Sequence, residues 1–496
     1  MSLNTPPIHV VGAGLAGSEC AFQLAELGYK VHLYEMKAHK KSPAHKTENF
    51  AELVCSNSFG STTDYSASGQ LKWEAKNLNS LILKAALDAA VPAGMALGVD
   101  RDVFSQSITT AIKNHPNITC VDQVIQDVNE LDGLRIMATG PLTDSALAQS
   151  LATHFDAGSL YFYDAIAPII ETDSIDMDIC WKADRWGKGG GSLADTKTHS
   201  DHGVHDLSEN TNNHDDNNSS EDNSPTSDDT NRGGDYINCP LNKEQYYALI
   251  QAIKAARKVE AKEFEKTPYF ENCMPIEEIV ARGDETLRFG PLSFKGLPYP
   301  KTGRNCYAVV QLRQDNLQGT AYNMVGFQTK MAYADQKEVF RMIPGLENAS
   351  FVKLGSIHRN MYINSPRLLN PNLSSKKDPN LFFAGQITGV EGYFDSTCIG
   401  LLVSRFVDQK LRGQNLNPPP RTSALGSLLN FLQEPKDNFQ PMNINFSLLP
   451  KLDESILGKM KKSERKRAKK DKQLAIAKTD FLNWITQTQH QQKTMV

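Results

Sequence analysis

Two cysteines stand where their neighbours leave room for chemistry. Cys55 sits in FAELVCSNSFG (50–60), among small and polar residues after a short apolar run. Cys273 sits in FENCMPIEEI (270–279), behind aromatic residues. A thiolate is both a nucleophile and a workable leaving group. Either residue could carry covalent catalysis if nearby charge or a helix terminus lowers its pKa. The alternative for each is a small buried hydrophobe. The eight cysteines (20, 55, 120, 180, 239, 273, 306 and 398) include no CxxC pair. Four-ligand zinc spacing and the close active pair of a disulfide reductase are therefore missing, and no metal site is expected. In a reducing compartment most of these residues should be free thiols. Cys55 and Cys273 lie 218 residues apart, so only folding can bring them together.

The elements that would position them begin at once. IHVVGAGLAGSECAFQLAELGYKVHLYEM (8–36) reads as strand, turn, helix and strand. Gly12, Gly14 and Gly17 form GxGxxG, and Glu35 follows the third glycine by 18 residues. In this context Gly12 permits the tight turn, Gly14 lets the backbone approach a pyrophosphate, and Gly17 lets helix and strand close up. The amides of Ala13, Leu15 and Ala16 belong to the same turn and helix start, where free N–H groups favour an anion. Glu35 can accept hydrogen bonds from an adenosine ribose. A glycine-rich turn in an ordinary α/β core is the bland alternative. LRIMATGPL (134–142) reads as a strand stopped by Gly140. LFFAGQITGVEGYFDSTCIGLLVSRFV (381–407) reads as a strand ending at Gly385, next to Gln386, and then a helix from about Ser396. If Gly385 shares the opening site, this late strand must return to the opening sheet. The segment between would then be an inserted domain.

The expected fold class is α/β: a Rossmann-like dinucleotide-binding domain, discontinuous over 1–170 and 345–420, interrupted by an α+β domain over 171–344. LNKEQYYALIQAIKAARKVEAKEF (241–264) predicts a helix, and 307–329 predicts two strands around a glycine turn. Residues 188–235 are rich in Asn, Asp, Ser and Gly and almost free of apolar side chains, which predicts a disordered acidic loop. Residues 201–235 carry ten acidic residues and one arginine, so the formal net charge of −4 hides a mildly basic remainder. The extension 421–496 should be helical and pack back on the body. Its basic stretch 459–472 could touch phosphate, or could be a solvated helix face. No run of 18 apolar residues occurs, and the first residues lack the pattern of a signal peptide, so a cytoplasmic protein without a membrane partner is expected.

Taken together, these stretches resemble the folate- and FAD-dependent tRNA (uracil-5-)-methyltransferases, relatives of the tRNA-modifying flavoproteins of the GidA type. The resemblance rests on GAGLAGSE (12–19), LYEM (33–36), PAHKT (43–47), FAELVCSNS (50–58), ATGPLT (138–143), FEKTPYFENCMPIE (264–277), YAVVQLRQDN (307–316), HRNMYINSP (358–366) and LFFAGQITGVEGY (381–393), among others. It implies FAD as cofactor, 5,10-methylenetetrahydrofolate and NAD(P)H as co-substrates, and tRNA as partner. The product it implies is 5-methyluridine in the T-loop. It also implies catalytic roles for Cys273 and Cys55. Cys273 is read as the nucleophile at uracil C6 and Cys55 as its partner, with the exchange of roles left open. His45, Lys46, Glu52, Arg313, Gln328, His358 and Arg359 are softer candidates for ligand contacts. Asp395 stands where the family more often has Glu. A different flavin oxidoreductase and a non-catalytic tRNA-binding flavoprotein remain the competing functions.

Overall fold

The opening strand, Ile8–Val11, lies at the centre of a five-stranded parallel sheet in the computed structural model. The structure describes residues 6–42, 44–156, 160–187, 234–258, 274–436, 439–452 and 462–493. The sheet order runs Leu381–Phe383, Arg135–Met137, Ile8–Val11, Val31–Glu35, Ile118–Asp122. The late strand therefore does return: Phe382 pairs with Ile136, one strand away from Val10. This is the expected Rossmann-like sheet, completed by chain from beyond an inserted domain. The strands are short and almost wholly apolar, as parallel strands covered on both faces must be.

The helix Tyr393–Leu411 follows the late strand and packs against the first helix, Leu15–Glu26. It starts at Tyr393, three residues before the predicted Ser396, because Gly392 (φ +101°) turns the chain there. The contact is backbone-close: a Cβ on Gly400 would lie 2.2 Å from the Ala16 carbonyl oxygen.

The inserted part is built on a six-stranded antiparallel sheet. Its order is Trp181–Lys182, Tyr236–Leu241, Ala308–Gln314, Ala321–Met324, Ile169–Glu171, Phe351–Lys353. It has its own apolar core, formed with the helices Lys243–Ala255, Ile276–Ala281 and Tyr333–Phe340. The expected pair of strands in 307–329 is the central hairpin. Phe351–Lys353, which a division at 345 places with the nucleotide-binding part, pairs in this middle sheet. The chain crosses between the two parts through an antiparallel ribbon, Leu160–Ile166 against Ser356–Tyr362.

The helix predicted over 241–264 ends at Ala255. Ala256 turns to ψ 142°, and Arg257 is drawn to Asp335 by a backbone and a side-chain bond, so tertiary pairing overrides local propensity. The proposed acidic loop, 188–235, lies outside the described residues except for its last two positions. At the C-terminus, Ala424–Gln433 and Lys462–Lys493 form helices, and the second lays Phe481 on Trp73 of the helix Ala67–Asn77. The basic stretch lies partly on this last helix, where Arg467 and Lys472 are exposed.

Two buried carboxylates act as helix caps across this core. Glu19 accepts from Leu81 N and Ile82 N at the start of Leu81–Asp88. Glu74 accepts from Ala424 N and Leu425 N at the start of Ala424–Gln433. Burial nevertheless pushes Glu74 up to about 7 from 4.5. The folded state therefore binds this proton more tightly than the unfolded chain. Its stabilising contribution is complete below pH 4.5 and is lost as pH rises through 7. Thermal melts across this window should show that decline, and Glu74→Gln should flatten it. A second expectation concerns the helix contact. Gly400→Ala should destabilise the fold by about 1–3 kcal/mol, measured by denaturant melts, because the new methyl meets backbone.

Candidate active site

The glycine turn is shaped by what surrounds it. Gly12 has φ +100°, and a Cβ there would lie 2.6 Å from the Ala138 carbonyl oxygen. A Cβ on Gly17 would lie 1.8 Å from the Gly12 carbonyl oxygen, while a Cβ on Gly14 would meet nothing within 4 Å. Two of the glycines thus serve close packing, and the third leaves space over the helix start. Gly14 is the N-cap of Leu15–Glu26 and supplies no capping side chain, so the first-turn amides are left for a ligand. Glu35 is held by three amides: Ala13 N at 3.0 Å, Met36 N at 2.8 Å and Lys37 N at 3.1 Å.

A cleft with about 1040 Å³ of empty space runs from this turn. Gly12, Gly14, Leu15, Ala16, Glu35, Gly140, Gly385 and Gln386 all line it, with Thr139, Tyr393 and Ser396. Ala13 and Gly17 are buried just behind it. Gly385 has φ +81°, and its missing Cβ would lie 2.5 Å from the Ala16 Cβ. Gln386 donates to Glu391 at 2.8 Å. Ser396 Oγ is buried with no hydrogen-bond partner, so a polar atom in the wall awaits one. The open face of Gly14, the uncapped helix start, the fixed acid and this orphan hydroxyl together fit a dinucleotide. Sequence reasoning did not single out Thr139, Tyr393 and Ser396 as site residues, although the first two lie in the quoted stretches ATGPLT and LFFAGQITGVEGY and the third at the expected helix start.

Cys55 lies beside this cleft and not in it. Its backbone N–H donates to Tyr393 Oη at 2.6 Å, and Tyr393 lines the cleft. Cys55 itself lines a second cavity, which Tyr393 also walls, so the two spaces meet at this residue. Three cations surround the thiol-bearing stretch. Arg101 donates to the carbonyls of Leu53 (2.6 Å) and Cys55 (3.1 Å) and pairs with Asp315 at 3.3 Å. Lys353 donates to the Val54 carbonyl at 3.1 Å, and burial, with Arg101 and Lys46 nearby, lowers it to about 8. Arg313 lines the second cavity with Gln328. Asp395 is there too: it accepts from Ile444 N at 2.6 Å, and burial pushes it up to about 6.

Cys273 lies outside the described residues. The chain that follows it is tied to a wall residue of that cavity, since Ile276 N donates to the carbonyl of Gln328 at 2.7 Å. His45 and Glu52 line the first cleft. Glu52 holds Lys46 N, Thr47 N and Thr47 Oγ1 and so shapes that loop, while the Lys46 side chain is exposed. The side chains of His358 and Arg359 also lie outside the described set. Among the described residues, Cys20, Cys180, Cys239 and Cys398 are buried. Burial pushes Cys20 and Cys398 up, and the hydrogen bond from Cys180, with burial, raises Cys239, which suits inert core residues.

This sheet, its glycine cradle and the inserted domain define a Rossmann-like dinucleotide-binding protein. Residues 7–227 and 216–415 match the family described as Glucose inhibited division protein A. The chain is 56% identical over 479 residues to the methylenetetrahydrofolate--tRNA-(uracil-5-)-methyltransferase TrmFO of Bdellovibrio bacteriovorus, covering 96% of this chain and 98% of the relative. It is 48% identical over 491 residues to the TrmFO of Bartonella henselae, covering 97% of each. Among solved structures, Aquifex aeolicus GidA in its form II crystal superposes with a TM-score of 0.62 at 14% identity, over 99% of this chain and 77% of that one. That likeness shows the fold alone. The chain belongs to the methylenetetrahydrofolate–tRNA-(uracil-5-)-methyltransferase family, TrmFO.

The cradle itself is open to test. Gly14→Leu adds a side chain where no atom is displaced, so folding should be kept. The added bulk should exclude the dinucleotide, and flavin absorbance of the purified protein should fall at least about tenfold, since backbone approach at this glycine is what admits the pyrophosphate.

Proposed function

We propose that this protein methylates C5 of a T-loop uridine in tRNA, taking the carbon from 5,10-methylenetetrahydrofolate and the electrons from NAD(P)H through FAD. The observation that carries this reading is the meeting of two spaces at Tyr393: a dinucleotide cleft, and a cavity walled by Cys55 and polar side chains. The name of the family supplies the reaction class. The cytoplasm is the compartment where its tRNA substrate is found, and no described helix is long and apolar enough to cross a membrane.

The turn Gly12–Gly17 and the helix start at Leu15 would take the pyrophosphate of FAD, and Glu35 its ribose. Gly140, Gly385 and Gln386 would flank the rest of the cofactor, with Ser396 Oγ offered to one of its polar atoms. Bound FAD supplies reducing equivalents to the transferred carbon. The chain's own work is covalent and positional. Uracil C5 is a weak nucleophile until a thiolate adds at C6 and pushes electron density onto it. Cys273 takes that role. Cys55 helps free the methylated base or activates the carrier of the carbon. Tyr393 fixes the backbone of Cys55, and Arg101 and Lys353 hold the carbonyls of Leu53, Val54 and Cys55, so the thiol is presented by a rigid stretch. The uridine must leave its stack to reach this depth.

Product analysis with carbon-labelled folate tests the reading directly. Unmodified tRNA incubated with wild-type protein and reduced nicotinamide should gain labelled 5-methyluridine. Cys55→Ala and Cys273→Ala should each lower the yield by at least about a hundredfold, the scale expected when a covalent step loses its nucleophile. Label that stays on the protein in one variant only would separate the two roles. A folded wild-type protein that takes up no flavin would end the proposal.

A further inference from the structure

Arg313 and Asn323 are directly opposed in the central hairpin of the middle sheet, so their side chains share one face. Both line the cavity that holds Cys55. Asn323 is 4% exposed, yet its Nδ2 has no hydrogen-bond partner. A buried amide left unmatched costs stability, and in a native wall it needs a reason. Arg313 is positioned from behind. Its Nε donates to Asn57 Oδ1 at 3.1 Å. Asn57 is wholly buried, and its amide is oriented by donating to the carbonyls of Val99 (3.1 Å) and Gln314 (3.0 Å). The two Nη groups of Arg313 make no hydrogen bond with any described residue. A fixed guanidinium and an unmatched amide therefore offer donors to the same space, next to a thiol.

We propose that Arg313 and Asn323 hold the 4-oxygen of the target uracil and stabilise the charge it gains when an enzyme thiolate adds to C6. This rests on the methylation reading above and names the groups that recognise its substrate. In that step the sulfur forms a bond to C6 and the C5=C6 π pair moves toward C5 and O4. The ring becomes an enolate, with no proton yet gained or lost. Donors already aimed at O4 bind this enolate more strongly than the neutral base. The pair also selects the base. An amide can serve uracil, donating to O4 and accepting from N3–H, but by turning over it would serve cytosine equally. The guanidinium only donates. It matches the uracil 4-oxygen and opposes the cytosine 4-amino group, which breaks the tie. A phosphate would be a poorer occupant, since Arg313 lines the cavity while Arg101 and Lys353 are already engaged by backbone carbonyls and Asp315, which leaves an anion incompletely compensated.

The test uses the full-length flavoprotein and tRNA carrying 5-fluorouridine at the target position. With 5,10-methylenetetrahydrofolate supplied, C5 takes up the one-carbon unit, and its fluorine cannot then leave as a proton does, so the C6 adduct accumulates and survives denaturing electrophoresis. Asn323→Ala removes no existing side-chain hydrogen bond and should leave the fold and flavin content unchanged. It should slow adduct formation by about 100-fold, the usual loss for one oxyanion donor. Arg313→Gln should slow it similarly. It should also lower the preference for a uridine over a cytidine target by at least about tenfold, because the donor-only group is gone. Adduct formation by both variants at the wild-type rate would overturn the assignment. If the wild type forms neither adduct nor methylated product, the methylation reading itself falls.

Discussion

The structure depends on the helix Tyr393–Leu411 lying against the helix Leu15–Glu26 at backbone distance. Two missing side chains make that approach possible. Gly400 leaves its space to the Ala16 carbonyl, and Gly385 leaves its space to the Ala16 Cβ. Ala16 follows the glycine turn, so chain from beyond residue 380 is pressed onto the first wall of the cleft. Everything that the late segment brings, Gln386, Tyr393 and Ser396 included, reaches the cleft through this contact. A bulkier residue at either glycine would push apart the two halves of one site, although they lie far apart in the sequence.

The second constraint is the clamp between the two domains. The end of the central hairpin in the middle sheet presents Arg313, Gln314 and Asp315 in succession. Each binds the nucleotide-binding part: Arg313 to Asn57, the Gln314 carbonyl to the Asn57 amide, and Asp315 to Arg101. Leu317 N adds a bond to Asp100 at 2.9 Å. Buried ion pairs give little net stability, but breaking one leaves a charge stranded. Arg101 and Asp315 therefore act more as a register device than as glue. They fix where the hairpin sits relative to Leu53–Cys55, whose carbonyls Arg101 also holds. The thiol and the middle sheet are positioned by the same guanidinium.

The parts visible in the sequence were those with local signatures. Gly12, Gly14, Gly17 and Glu35 stand at spacings that a single strand–turn–helix–strand unit dictates, and all of these elements form. The return of Leu381–Phe383 to the opening sheet follows from one apolar strand ending in glycine, once that glycine is required at the site. What the sequence did not show was long-range pairing. Asn323 is an unremarkable residue in YNMVGFQT until the hairpin register sets it opposite Arg313. Gly400 is one glycine in an apolar helix until Ala16 comes against it. The helix expected to run on to 264 stops at Ala255 because Asp335, a distant residue, captures Arg257. In each case the decisive partner lies far along the chain, where periodicity carries no information.

The two spaces are separated by one ring, and that division has a chemical consequence. The cofactor cleft is walled by the opening turn and the late helix, whereas the thiol cavity takes one wall from each domain. Tyr393 faces both, and its hydroxyl accepts from Cys55 N, so it cannot swing away without releasing the thiol's backbone. A base entering between the domains would meet the hairpin donors on one side and Cys55 on the other. It would also lie one aromatic ring from the cofactor. Water would be displaced from the same volume, and charge developing on the base would be matched by side chains that need no reorganisation. The domain clamp thus holds the cavity together: the insert brings Arg313 and Asn323 to one wall, the opening domain brings Cys55 to the other, and on the proposed reading neither domain alone would enclose the base.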